Sequence, residues 1–342
     1  MSETLGRAVL VLSTDDAALN RGLASAKSAT KKFGKDMRRV GRTVSTRVTL
    51  PILGIGIAIL KSAANFEAGM NRVQALTGAT GKQFEKLETQ AKELGATTQF
   101  SASQAAGAMG FLAQAGFDTE KILAAMPATL NLAAAAGMDL AQTADIMSNV
   151  MQGFGLEASE SGRASDVMAA AFTSSNTDLQ QLGEAMKFVA PVAKGMGLTF
   201  EETVAVLGLL GNAGIQASMA GTSLRGMMTR LADPTTKAAK LIKKLGIDVI
   251  GTDVKINSMS NIMGQLSEAG ATTIEVMKLF GLRAGPGMQA ILDQGSGSLV
   301  KFESKLKDSG GTAERIAKVQ MKGLTGAMKA FTSAMEASAI AI

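Results

Sequence analysis

Along most of this chain apolar residues recur at intervals of three and four, the spacing that keeps them on one face of an α-helix. Near the start, Leu19, Leu23, Ala26, Thr30, Phe33, Met37, Val40 and Val44 hold that alternation for more than three turns, which predicts a coiled-coil arm with an apolar seam. From 65 to 234 the pattern is one of short helices punctuated by glycine and by capping signals such as Ser101-x-x-Gln104 and Thr199-x-x-Glu202. Asp233-Pro234 closes a helix, Thr235 to Leu245 predicts a basic one ended by Gly246, and helical spacing resumes at Ser258. The stripe returns at Met321, Leu324, Met328, Phe331, Met335, Ser338 and Ile342 and stops in mid-pattern, which reads as the start of a C-terminal coiled-coil helix, cut short.

Only two segments alternate with period two. Arg7 to Ser13 predicts a short strand, and Ile247 to Ile256, turning at Gly251-Thr252, predicts a small β-hairpin. The expected fold is therefore mainly α: Gly-punctuated helical hairpins or a bundle, coiled-coil N- and C-terminal helices, a short N-terminal strand and one hairpin. The expected units are a strand and basic arm (1–47), a short hydrophobic segment (48–64), a helical core (65–234), a helical subdomain with the hairpin (235–310) and the terminal helix (311–342).

Two faint echoes run through the core. At an offset of 98, Ser101, Gly110, Leu112 and Ala115-Gly116 match Thr199, Gly208, Leu210 and Ala213-Gly214; at an offset of 39, Asp139-Leu140, Gln142, Met147 and Val150 match Asp178-Leu179, Gln181, Met186 and Val189. Similar helix-turn-helix units would produce them, and so would generic helix grammar.

Charge is uneven. Between Lys27 and Arg47 eight basic residues face Asp36 alone, a net of +7, whereas the whole chain carries +6. Lys27, Lys31, Lys35, Arg38 and Arg42 fall on the face of the arm opposite the seam of Leu19, Leu23, Phe33, Met37, Val40 and Val44. That face is either a solvated one or a contact for an anionic surface, whether phosphate, acidic protein or lipid headgroup.

Next comes an uncharged run of 13 residues, Val48 to Leu60, between Arg47 and Lys61. Its apolar residues Leu50, Ile52, Leu53, Ile55, Ile57, Ile59 and Leu60 form a candidate membrane segment, although a simple span needs about 18 residues or more. A second run, Thr203 to Leu224, has 22 residues but includes Asn212, Gln216 and four glycines, and reads as a buried helical hairpin. Met1 is followed by Ser2, Glu3 and Thr4, which is not the opening of a secretory signal.

Composition narrows the chemistry. Of 342 residues 46% are apolar and 19% charged, with no Cys, His, Trp or Tyr. Disulfide frameworks, zinc sites of the Cys/His kind, Ser-His or Cys-His nucleophiles and imidazole acid-base work are excluded. Gly78-Ala-Thr-Gly81-Lys82 fails as a phosphate loop because its spacing is wrong and Gln83 follows the lysine. Gly54-Ile-Gly56 lacks a third glycine. Glu157, Glu160, Glu201 and Glu202 sit where acids favour a helix start. No enzyme, cofactor, metal or small-molecule substrate is expected.

The stretch from Phe66 to Thr80, Phe-Glu-Ala-Gly-Met-Asn-Arg-Val-Gln-Ala-Leu-Thr-Gly-Ala-Thr, followed by Leu94 to Ala102, resembles the core of bacteriophage tail tape measure proteins. So do Asn131-Leu-Ala133, Gly137-Met-Asp-Leu140, Gly214-Ile215, Ala220-Gly-Thr-Ser-Leu-Arg225 and Asp233-Pro234. The resemblance is strongest from 66 to 234 and rests on packing and turn residues. It implies a structural virion protein that sets tail length, scaffolds the tube and is ejected toward the host envelope during DNA delivery. Implied partners are further copies of itself, the tail tube protein, tail assembly chaperones, distal tail or baseplate proteins and the host membrane. The implied locations are the tail lumen, the host cytoplasm during assembly and the host membrane on ejection. A membrane-inserting helical channel is the alternative reading.

Reversing Lys31, Lys35 and Arg38 to Glu is expected to weaken attachment of the chain to an acidic partner or anionic liposome. Attachment of the unaltered chain should also weaken with salt, since exposed charges are screened over about 8 Å at physiological ionic strength. Co-sedimentation across a salt series checks both.

Overall fold

The computed structural model describes residues 45–251, 255–295, 297–322 and 324–340, with side chains from Lys61 onward except at 324, 325, 335 and 337–339. The described residues form fifteen α-helices, and many of their starts and stops follow the local sequence grammar. The first eight are α1 (Ser45–Thr77), α2 (Lys82–Thr97), α3 (Ala102–Gln114), α4 (Thr119–Ala136), α5 (Leu140–Phe154), α6 (Ser161–Ser174), α7 (Leu179–Met196) and α8 (Phe200–Asn212). They continue as α9 (Ala217–Ala232), α10 (Thr236–Leu245), α11 (Met259–Glu268), α12 (Thr273–Leu292), α13 (Gly297–Lys307), α14 (Thr312–Gln320) and α15 (Leu324–Ile340). Side-chain oxygens of Ser101, Asp118, Asp178, Thr199, Thr235, Ser258 and Thr272 each accept the N–H three residues on, which satisfies donors that the first helical turn leaves free. At the other ends, Gly137, Gly155, Gly197 and Gly246 adopt left-handed backbone. The residue after each returns its N–H five positions back, as from Met138 to Ala133.

The helices stack in two layers. In the first, α1, α3, α5, α7, α9 and α12 pack side by side in that order; in the second, α2, α4, α6, α8 and α13 do the same. Successive helices thus alternate between layers, as in a solenoid of helical hairpins. One hydrophobic cluster runs between them from Phe66 to Ala317. The Phe154 and Phe200 rings meet edge to face at 5.3 Å across the layers. The uncharged run from Thr203 to Leu224 forms the α8–α9 hairpin, with α8 buried from Phe200 to Gly211.

Close approach in the first layer depends on small residues. A Cβ on Gly183 of α7 would stand 2.8 Å from Ile146 of α5, one on Gly153 of α5 would stand 2.7 Å from the Ala190 Cβ of α7, and one on Gly221 of α9 would fall on the Ala185 carbonyl of α7. The two echoes now separate. The offset-39 positions lie on α5 and α7, neighbours in the same layer, so this echo is an architectural repeat. The offset-98 positions lie on α3 and α8, which belong to different layers. They share only local structure, namely a hydroxyl cap and a turn in which Phe117 and Ile215 return their N–H groups to Leu112 and Leu210.

Three expectations change. The hairpin at 247–256 is reduced to one antiparallel bridge, Ile250 to Ile256, closed by the Gly251 N–H on the Lys255 carbonyl and the Asn257 N–H on the Val249 carbonyl, and no strand forms among the described residues; the Ile256 N–H, on the outer side of this pair, donates to the Met196 carbonyl at the end of α7. The C-terminal stripe is not one coiled-coil helix. Met321 caps α14, α15 starts at Leu324, and α15 folds back onto α1 and α2. It buries Gly326 and Ser333, while Met328 and Phe331 of the expected seam are 56% and 62% exposed. Gly326 is buried against the Met321 backbone just before the helix, and further along α15 Glu336 accepts the Ser103 N–H at 2.9 Å. Thirdly, the capping box expected at Thr199 is half made. Thr199 accepts the Glu202 N–H, but the Glu202 carboxylate turns away to the Met259 N–H at the start of α11. At Ser101 both bonds form. The N-terminal strand and the coiled-coil arm lie outside the described residues.

Gly221→Ala is expected to destabilise the fold by about 1–3 kcal/mol, because overpacking against backbone outweighs the gain in helix propensity. Gly107→Ala, at a helical glycine with open space around it, should instead be neutral or stabilise by up to about 1 kcal/mol. Urea unfolding of the two variants checks the contrast.

Candidate functional site

The prominent concave feature is a groove along the first layer, in three sections that share Met138. One section, about 220 Å³, lies over the α5–α7 seam and is lined by Phe111, Met138, Gln142, Asp145, Ile146, Gln180, Gly183, Glu184 and Lys187. The second, about 370 Å³, lies at the starts of α5 and α7, with Asp139, Asp178 and Leu179. The third, about 650 Å³, runs toward α15, between Phe100, Ser101 and Gln104 on one side and Met328, Lys329 and Glu336 on the other.

The floor is apolar and the rim acidic. Five carboxylates (Asp139, Asp145, Asp178, Glu184 and Glu336) line the sections against two ammonium groups, Lys187 and Lys329. Three of the acids also serve the fold. Asp139 and Asp178 cap α5 and α7, and Glu336 accepts the Ser103 N–H. Hydrogen bonds from Ser62, Ser103 and Ser101 hold the Glu336 carboxyl below its ordinary range although burial pushes the other way. Asp145 pairs with Lys187 at 3.4 Å. Glu184 receives only a 3.3 Å bond from the Gln180 amide, so its charge stays uncompensated. Both acids were missed by motif reading, yet the sequence carried a signal for them: they are 39 residues apart, at the same position of the α5/α7 repeat.

A second charged cluster runs from the buried Glu201 and Glu202 of the second layer out to its surface. Arg163 of α6 bonds Glu160 at 2.7 Å and also Glu201. Asp166 of α6 accepts the Gly311 and Ala313 N–H groups at 2.8 and 2.9 Å, so it caps α14 from another helix. Lys307 bonds Glu303 on α13 at 2.6 Å. Burial pushes the Glu202 carboxyl above its ordinary range, and Glu303 nearby adds to that, while the Met259 N–H opposes it. The Arg163–Glu201 pair ties α6 to α8, Asp166 holds α14 on α6, and Glu202 holds α11 on α8. Among the described residues no group of three or more acidic side chains converges as a metal site.

The sites expected from sequence fare differently. The basic face (Lys27, Lys31, Lys35, Arg38, Arg42) and the arm seam from Leu19 to Val44 lie outside the described residues. The apolar run from Leu50 to Leu60 falls inside α1. Among the described residues no single helix is long and apolar enough to cross a membrane. One bent pair, Thr119–Ala136 with Leu140–Phe154, meets the length and composition at an angle of 118°; these are α4 and α5, whose apolar faces form the core. Gly78 and Gly81 of the rejected phosphate loop make the α1–α2 turn with positive φ.

The described residues thus form an all-helical, two-layered body with a surface groove. The chain belongs to the phage-related minor tail protein family, whose characteristic region matches residues 88–341. It is 38% identical to the tape measure protein of Pneumococcus phage Dp-1 over 94% of this chain and 28% of that protein. It is 31% identical to the probable tape measure protein of Escherichia phage P2 over 82% of this chain and 36% of the relative. With the probable tape measure protein of Clostridium phage phiCD119 the identity is 22% over 87% of this chain and 32% of the relative. The chain thus spans about a third of the length of these relatives. No solved structure matches it.

A group whose pKa is raised on folding stabilises fully below its unfolded value and loses that contribution as pH rises through the folded value. Glu202→Gln keeps an acceptor for Met259 and removes the ionisation. The variant should therefore gain stability relative to the parent as pH climbs above 4.5, the ordinary value for this carboxyl. The gain is about 1.4 kcal/mol for each pH unit by which the carboxyl titrates later in the folded than in the unfolded chain. Thermal unfolding of both proteins between acid and neutral pH reads the difference.

Proposed function

We propose that this chain acts as part of a tape measure protein, a structural component of the phage tail that sets tail length during assembly and works without a catalytic centre. The observation that carries the reading is its 38% identity, across 94% of the chain, to a protein of that name. A body made of helical hairpins with a continuous packed core supports it, since such a body offers surfaces for assembly and no chemistry. In this reading several copies lie in the tail lumen. They contact the tail tube protein and the distal tail or baseplate proteins, and assembly chaperones hold them in the host cytoplasm beforehand. Their ejection, with the apolar run of α1, carries them toward the host envelope during DNA delivery.

The test is made on particles. Phage carrying a nonsense codon in this gene should form no tails of uniform length. An insertion of about 40 helical residues downstream of the body should lengthen tails by about 60 Å, at 1.5 Å per residue. Wild-type tail lengths in the nonsense mutant, measured by electron microscopy, would remove the reading.

A further inference from the structure

The groove has a counterpart elsewhere on the same chain. Residues 61–224 carry fifteen acidic and nine basic residues, a net of −6, whereas residues 225–292 carry nine basic and five acidic, a net of +4. The basic part includes α9 from Arg225, α10 and α12. Within α12, Gly281 breaks the helix with φ 75° and ψ −179°. Leu282, just after the break, is 91% exposed, more than any other large apolar residue described.

A leucine held out this far is unfavourable in water, and its surroundings are cationic. The Arg230 guanidinium lies over the break, 3.6 Å from where a Gly281 Cβ would be. Lys278 and Arg283 flank it and are exposed. None of the ion pairs among the described residues involves Arg230, Lys278 or Arg283.

We propose that the groove over the α5–α7 seam is a docking site for a second copy of this chain, which inserts Leu282 between Asp145 and Glu184. The leucine covers the floor made by Phe111, Met138 and Ile146, and the arginines beside it meet the two rim acids. Three matches carry this. The section is about 220 Å³, large enough for one leucine side chain and shallow enough to bring the rim to the flanking bases. The unpaired acid Glu184 meets unpaired cations, and guanidinium forks suit carboxylates. Lastly, the chain's opposite net charges lie on the two parts that would touch, which favours this register over like-with-like contact. The α9 helix lies between α7 and α12 in the first layer, so the chain's own Leu282 stands away from its own groove and the occupant is another molecule. Knob and groove are separate patches, so the contact is heterologous.

This inference deepens the assembly reading above but is tested on purified full-length protein, so either can fail alone. Two variants are made: Asp145→Lys with Glu184→Lys in the groove, and Leu282→Ser with Arg283→Glu at the knob. All four positions are solvent-accessible, and unchanged thermal unfolding confirms that both variants fold. By sedimentation velocity at low salt, each variant alone should self-associate about tenfold or more weakly than the parent. Mixed together they should form a 1:1 pair, because one supplies an intact knob and the other an intact groove. Parent-like association of either variant alone, or no pairing in the mixture, would overturn the proposal. That result would leave the tail-length test untouched.

Discussion

The structure depends on how closely the helices of the first layer approach one another. At the crossings of α5, α7 and α9 a glycine lets the facing helix come into contact with its backbone: Gly153 lies against the Ala190 β-carbon, Gly183 against the Ile146 side chain, Gly221 against the Ala185 backbone. Close packing without large aromatics gains dispersion contacts over many small groups instead of a few large ones. The chain accordingly has 38 glycines and 21 methionines but only 13 aromatic residues, all phenylalanine. Methionine fills what the glycines leave, as Met147, Met151, Met168 and Met186 do in the buried interior.

Stacking has an electrostatic consequence. Helices α5 and α7 both start with an aspartate cap, and because they are neighbours in one layer those caps, Asp139 and Asp178, open onto the same section of groove. The next acid along each helix, Asp145 or Glu184, extends the rim. An acidic groove is thus a by-product of a repeated capping rule placed in register. On the other layer the same residue type does different work. There, Glu201, Glu202 and Asp166 hold α6, α8, α11 and α14 together.

Helical character, cap positions and most helix ends were legible in the sequence, because N-cap hydroxyls and carboxylates, C-terminal glycines and Asp233-Pro234 act within one or two turns of themselves. Thus Ser101 and Thr199 cap as their spacing predicts, the helices expected from Thr235 and Ser258 start one residue on, and Gly246 ends its helix in left-handed backbone. The short repeat of 39 residues was visible too, as an echo whose meaning depended on which helices touch. Absent residue types told as much as present ones, since a chain without cysteine or histidine has lost whole classes of chemistry.

Tertiary packing decided the rest. Periodicity gives the same weight to an apolar stripe and to a small-residue stripe on the opposite face, and in α15, which packs on α1 and α2, Gly326 and Ser333 are buried while Met328 and Phe331 are exposed. Glu202 left its own helix cap for the Met259 N–H of a distant helix, and the outward N–H of Ile256 found its acceptor in Met196 at the end of α7. The groove and the exposed Leu282 have no local signature, since each is defined by what lies beside it in space. Local sequence therefore determined where helices begin and end, through hydrogen bonds closed within a turn, while the faces they bury and the surfaces they leave open followed only from which helices became neighbours.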